Sequence, residues 1–131
     1  MKATGQLHHM GQSLWLDNIT RGLLTGGALE RYIRDLSITG LTSNPGIFDH
    51  AIRDTSFYDG AIRGSAKPTE KLFFDLALED LTKAADLFRP VHDVTTVHDV
   101  SNGVDGWVSL EVSPLLADDP AKTLESAKQL C

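Results

Sequence analysis

Only one cysteine occurs in the 131 residues, Cys131 at the last position, so no internal disulfide framework can form. No run approaches the ~18 apolar residues that suggest a membrane-spanning helix. The N-terminal stretch MKATGQLHHMGQSLWL contains no apolar run of signal-peptide length. No membrane partner is expected, and a reducing, cytoplasmic setting is. Positive charge is scarce too: 12 Lys and Arg stand against 18 Asp and Glu, for a net charge of −6 with no basic block. Nucleic-acid binding rests on clustered cations, so no nucleic-acid partner is expected either. What remains is ordinary globular composition, 41% hydrophobic and 23% charged. A chain of this length can bury roughly two-thirds of its unfolded surface. One domain over 1–131, with no second domain, follows.

Apolar segments of two kinds alternate. SLWLDNI (13–19) is a short, almost continuous apolar run broken by one carboxylate, the pattern of a strand buried on both faces. TGGALERYIRDL (25–36) places Leu29, Ile33 and Leu36 at helical spacing, with Glu30, Arg31, Arg34 and Asp35 on its wet face. ITGLT (38–42) reads as a second strand. NPGIFDHAI (44–52) opens a helix, with Asn44 as N-cap, Pro45 in the first turn and Ile47, Phe48, Ala51 and Ile52 on one face. The longest predicted helix covers 67–90, with a stripe of Phe73, Ala77, Leu81, Ala84 and Phe88 that Pro90 is expected to end. GWVSLEV (106–112) is a third strand, and 118–130 a further helix capped by Asp119. Strands alternating with helices predict βαβ units and a parallel sheet.

VHDVTT (91–96) is followed at once by VHDVSN (97–102), which reads as a short duplication within a loop. Its histidines, His92 and His98, lack the spacing and acidic or cysteine partners of a metal site, and no metal is expected there. His8 and His9, adjacent near the terminus, are expected to be solvated.

Polar residues recur at the ends of the predicted strands. Asp17 lies near the end of the first, Thr42 and Asn44 close the second, and Glu111 lies near the end of the third. A carboxylate in an apolar strand is costly to desolvate unless it is paired or faces a wet cavity. In α/β sheets and barrels that wet position is the C-terminal strand edge, where ligands bind. Each residue also has a plain structural reading: Asn44 caps a helix, Thr42 is an ordinary strand residue, and Asp17 and Glu111 could satisfy nearby backbone groups. Capping explains only one of the four. Two carboxylates at one edge are also the raw material of acid–base chemistry.

GLTSNPGIF (40–48) resembles the N-terminal signature of transaldolases, a T-[ST]-N-P run closing the second barrel strand. SLWLDNITRGLL and VDGWVSLEVSP resemble the family's first and third strand segments, most closely in the long bacterial type that includes fusions to phosphoglucose isomerase. The resemblance implies an α/β fold, an incomplete (β/α)8 TIM barrel of roughly three βα units with extra helices. It implies the pentose phosphate reaction, moving a dihydroxyacetone unit from a ketose phosphate (fructose 6-phosphate, sedoheptulose 7-phosphate) to an aldose phosphate such as erythrose 4-phosphate. By the same resemblance Asp17 is the acid/base acting at the C4 hydroxyl. Asn44 and Thr42 bind the dihydroxyacetone moiety, and Glu111 works through a water. No cofactor is implied, because a lysine Schiff base is itself the electron sink.

The sequence departs from the family at three points. Gly46 stands where Ser, Thr or Ala follows the N-P pair, the VHDV motif is doubled, and the I-K-I-P-like strand carrying the lysine is missing. The six lysines are Lys2, Lys67, Lys71, Lys83, Lys122 and Lys128; none falls in a predicted strand and five fall in helix patterns. The chain alone is therefore expected to be inactive, and a barrel of roughly 250 residues exceeds its length. The alternative is a non-catalytic half-barrel that binds sugar phosphate or a partner, with self-association possible through an open sheet edge. An open flavodoxin-like domain would need a phosphate-cradling glycine loop after the first strand, and DNITRGLL offers none.

Overall fold

A computed structural model describes residues 2–97 and 103–130, with backbone alone for 95–97. Three short parallel strands form its centre: β1 (Trp15–Asp17), β2 (Gly40–Thr42) and β3 (Trp107–Ser109), in that spatial order. Around them run α1 (Ala3–His9), α2 (Arg21–Thr25), α3 (Ala28–Leu36), α4 (Pro45–Asp54), α5 (Asp59–Arg63), α6 (Thr69–Val97) and α7 (Pro120–Leu130). A 3-10 turn at Pro114–Leu116 precedes α7. The alternation of strands and helices, and the parallel sheet it predicts, are both present.

Side chains alternate across a strand, and the core uses one parity. Leu41 is fully buried, and Leu16 and Val108 pack with it against Ile19, Leu29, Ala77, Ala84 and Phe88. Apart from Ile19, which follows β1, these come from the predicted faces of α3 and α6. Phe48 of α4 and Phe88 of α6 are the largest fully buried apolar side chains after Tyr58. Truncating either phenylalanine to alanine should cost about 3–5 kcal/mol. The opposite parity carries Trp15, Asp17, Gly40, Thr42, Trp107 and Ser109. Gly40 has no side chain because Trp15 lies across it: a Cβ there would come within 2.5 Å of the indole.

Four expected boundaries move. The helix read over 25–36 begins only at Ala28, as α3; before it, across Gly26 and Gly27, the weakest ordinary helix formers, lies a short helix, α2, that the apolar pattern did not mark. The third strand stops at Ser109, not 112, and β1 spans only 15–17. Pro90 does not end α6, which runs on to Val97. Proline removes one helical N–H, but Pro90 is exposed, so the carbonyl it frees faces water. Beyond it His92 packs edge-on against Trp107, ring centroids 5.1 Å apart, and on Gly106, where φ is +87° and a Cβ would strike the His92 backbone. That packing holds the extra turns in place. The first VHDV copy is therefore helical rather than a loop, while residues 98–102 of the second, including His98, lie outside the described residues.

Candidate functional site

The C-terminal ends of the three strands fall in register. Asp17 pairs with Thr42, and Thr42 with Ser109, so one rung carries a carboxylate and two hydroxyls on the face away from the helices. Neighbouring strands lie about 4.8 Å apart, which places these groups within reach of one small ligand. Ser109 Oγ donates to Thr42 Oγ1 at 3.2 Å, tying β3 to β2 through side chains. Next in the chain, Ser43 is fully buried and donates its Oγ to the Ser109 carbonyl at 2.7 Å.

Asn44 then turns the chain into α4. Its backbone is extended, and its Oδ1 accepts the Ile47 N–H at 3.0 Å, the expected N-cap, with Pro45 in the first turn. The cap uses the amide oxygen; the amide NH2 is a separate donor, two residues from Thr42 at the same edge. The bland and the functional readings of Asn44 are thus compatible in one side chain.

Two expectations need correction. The first strand is not buried on both faces: Trp15 and Asp17 are exposed because the sheet face they occupy is uncovered, which leaves the Asp17 carboxylate wet, as its place at the strand edge requires. Glu111 is not on a strand: it lies two residues past the end of β3 and is exposed. The register therefore sets Asp17 beside Thr42, with Asn44 two residues on, while Glu111 follows the sheet rather than ending it. Ser109 escaped the sequence reading, although its position two residues before Glu111 gives it the parity of the rim.

A second polar group lies behind the rim. Asp80 of α6 is fully buried, as is Tyr58 just before α5. Tyr58 donates its hydroxyl to Asp80 Oδ2 at 2.7 Å, and Arg21 Nε donates to Oδ1 at 2.8 Å. The Arg21 backbone N–H, one of the unsatisfied donors at the start of α2, is accepted by the Tyr58 oxygen at 3.1 Å. The guanidinium also stands 4.6 Å over the Tyr58 ring, and its Nη2 lies 3.1 Å from Glu79 Oε2. Burial opposes the Arg21 charge, but the hydrogen bond and charge of Asp80 outweigh it and raise its pKa. Burial, then the bond to Asp80, pushes the Tyr58 phenol well above its usual value, so it stays a donor. Glu79 is held below the usual carboxylate range first by Lys83, whose Nζ lies 2.6 Å away, and then by Arg21. Nothing in the local sequence marked this cluster, since its members are 22 to 59 residues apart.

The six lysines all lie off the sheet. Lys71 and Lys83 are on α6, Lys122 and Lys128 on α7, Lys2 precedes α1, and Lys67, expected on a helix, precedes α6 and pairs with Asp75 at 2.5 Å. Among the described residues no helix is long and apolar enough to cross a membrane.

A parallel sheet backed by helices, with polar residues on its C-terminal rim, defines an α/β protein of the class that binds ligands at that edge. A family model described as transaldolase/fructose-6-phosphate aldolase matches residues 14–131, and the chain belongs to that family. Membership implies a TIM barrel. The chain is 35% identical over 127 residues to "Transaldolase 2" of Nostoc punctiforme, covering 95% of this chain and 32% of that protein. It is 41% identical over 130 residues to a transaldolase of an Arthrobacter species (97% and 33%). With a transaldolase of Thiobacillus denitrificans it shares 38% over 133 residues (99% and 35%). The chain thus spans about a third of the length of the curated relatives it matches.

Proposed function

We propose that residues 1–131 form the first three βα units, with additional helices, of a single transaldolase barrel. Its rim meets the dihydroxyacetone end of a ketose phosphate of the fructose 6-phosphate and sedoheptulose 7-phosphate class. The carrying observation is the rung Asp17–Thr42 at the strand ends with Asn44 two residues beyond. In this reading the Asp17 carboxylate takes the proton from the C4 hydroxyl as the carbon–carbon bond next to it breaks. Asn44 donates its amide to the dihydroxyacetone oxygens, and Thr42, oriented by Ser109, lines the pocket beside it. Glu111 acts through a water during formation and hydrolysis of the Schiff base, which requires the segment after β3 to bend over the rim. The expected cytoplasmic setting accords with sugar phosphate chemistry of the pentose phosphate type.

A Schiff base requires a lysine whose ammonium is desolvated or set beside another cation. No lysine of this chain lies on the sheet, so the chain alone performs no turnover. Borohydride reduction with fructose 6-phosphate, read by intact mass, tests this: no adduct is expected, and a sugar adduct on any of the six lysines would overturn it.

A second reading is supported by the sheet's outer edges. Among the described residues neither β1 nor β3 has a partner on its far side, and such edges invite pairing. The chain would then be a non-catalytic half-barrel that binds sugar phosphate or a partner strand, a second copy included. A sharp cooperative thermal transition, with dimer in sedimentation, favours this reading; a molten monomer counts against it.

A further inference from the structure

We infer that Asp80, acting through Tyr58 and Arg21, is a positioning residue for Asp17; this rests on the functional reading of Asp17 given above. Only Asn18, Ile19 and Thr20 lie between the rim aspartate and Arg21. Two of the three are anchored. Ile19 is fully buried in the main core, and Thr20 caps α2 by accepting the Leu23 N–H at 3.0 Å. Arg21 is then held at two points, backbone N–H to the Tyr58 oxygen and side-chain Nε to Asp80. On the other side of Asp17 the strand register fixes Leu16 against Leu41. The exposed carboxylate thus sits on a short span clamped at both ends, and the far clamp is a fully buried carboxylate on α6.

The chemistry of the clamp suits positioning rather than bulk stability. An apolar side chain at 80 would fill the space, but it could neither accept from Arg21 nor orient the Tyr58 hydroxyl toward the first N–H of α2. A buried charge with directed bonds selects one backbone path where apolar packing tolerates several. Tyr58 is the joint, because its oxygen accepts from the chain that follows Asp17 and donates to Asp80.

The test compares Tyr58→Phe and Arg21→Lys with Phe88→Leu, a core change about two turns further along α6 chosen to give a similar drop in Tm. In the whole chain, the carboxyl-carbon NMR resonance of Asp17 and the amide exchange of residues 18–22 are read. Both network variants are expected to shift the Asp17 resonance and to speed exchange over 18–22 by about tenfold relative to Leu81 and Ala84, while Phe88→Leu leaves that ratio unchanged. Should Tyr58→Phe fail to fold, Arg21→Lys, which keeps the charge but loses the Nε fork, carries the comparison. An Asp17 resonance unmoved in the folded network variants, or moved equally by Phe88→Leu, overturns the inference. Neither readout uses a sugar, so failure of the wild-type chain to bind fructose 6-phosphate contradicts the functional reading separately.

Discussion

Asp17 and Asp80 stand on neighbouring parts of the fold, and the fold treats them in opposite ways. Asp17 ends a strand of otherwise apolar residues and is exposed; Asp80 sits mid-helix and is fully buried with a tyrosine and an arginine. The rim leaves its carboxylate available to something outside the chain, whereas the buried aspartate behind it is bonded through both oxygens, to Tyr58 and to Arg21. Availability, not charge, separates a candidate binding edge from a structural clamp.

That contrast can be broken most sharply at Asp80. Asp80→Ala leaves partly buried Arg21 with only the half-exposed Glu79 and Tyr58 without its acceptor, and should lower stability by about 3–5 kcal/mol in urea denaturation. A loss below about 1 kcal/mol would mean that water already serves the cluster. Tyr58→Phe keeps the ring but strips one bond from Asp80 and one from the α2 terminus, and an intermediate loss of about 1–3 kcal/mol is expected. Asn44→Ala tests the residue with two roles. Losing the cap should cost about 1 kcal/mol, and a sugar-phosphate response at the rim should disappear with it.

A smaller, local effect is expected at α7. Asp119 accepts the Lys122 N–H at 3.0 Å, and that bond, then the Lys122 ammonium, holds its carboxyl below the usual range. A depressed folded pKa stabilises above the unfolded value of about 3.9 and is lost as pH falls through the folded value. Protection factors of the α7 amides, taken relative to intrinsic exchange at each pH, should therefore fall at acid pH and hold at pH 6; protection factors unchanged at pH 2 would contradict the cap. Asp17→Asn should be the mildest in stability, within about 0.5 kcal/mol by thermal denaturation, since the exposed group has no fold to support.

The fold was legible where periodicity and capping act locally. The stripe from Phe73 to Phe88 gave α6 its buried face, Asn44 and Asp119 marked two helix starts, and the alternation of segments implied a parallel sheet. It was illegible where a distant partner overrules a local signal: Pro90 reads as a stop, but His92 against Gly106 and Trp107 carries α6 past it. The rim shows the same division. Strand ends could be read from apolar runs, so Asp17, Thr42 and Asn44 were set at the C-terminal edge where they lie; the exact end of β3 could not, so Glu111 was read onto the strand and Ser109 was passed over. The clamp of Asp80 was invisible because its members meet only in three dimensions.

The central claim, that the C-terminal rim is the part of this chain that meets a sugar phosphate, is tested by titrating the isotope-labelled chain with fructose 6-phosphate and following its amide resonances. Shifts confined to Asp17, Thr42, Ser43, Asn44 and Ser109, and abolished in Asn44→Ala, are the predicted result. No shift at these residues at saturating sugar phosphate, or shifts centred on the α6–α7 surface instead, would contradict it.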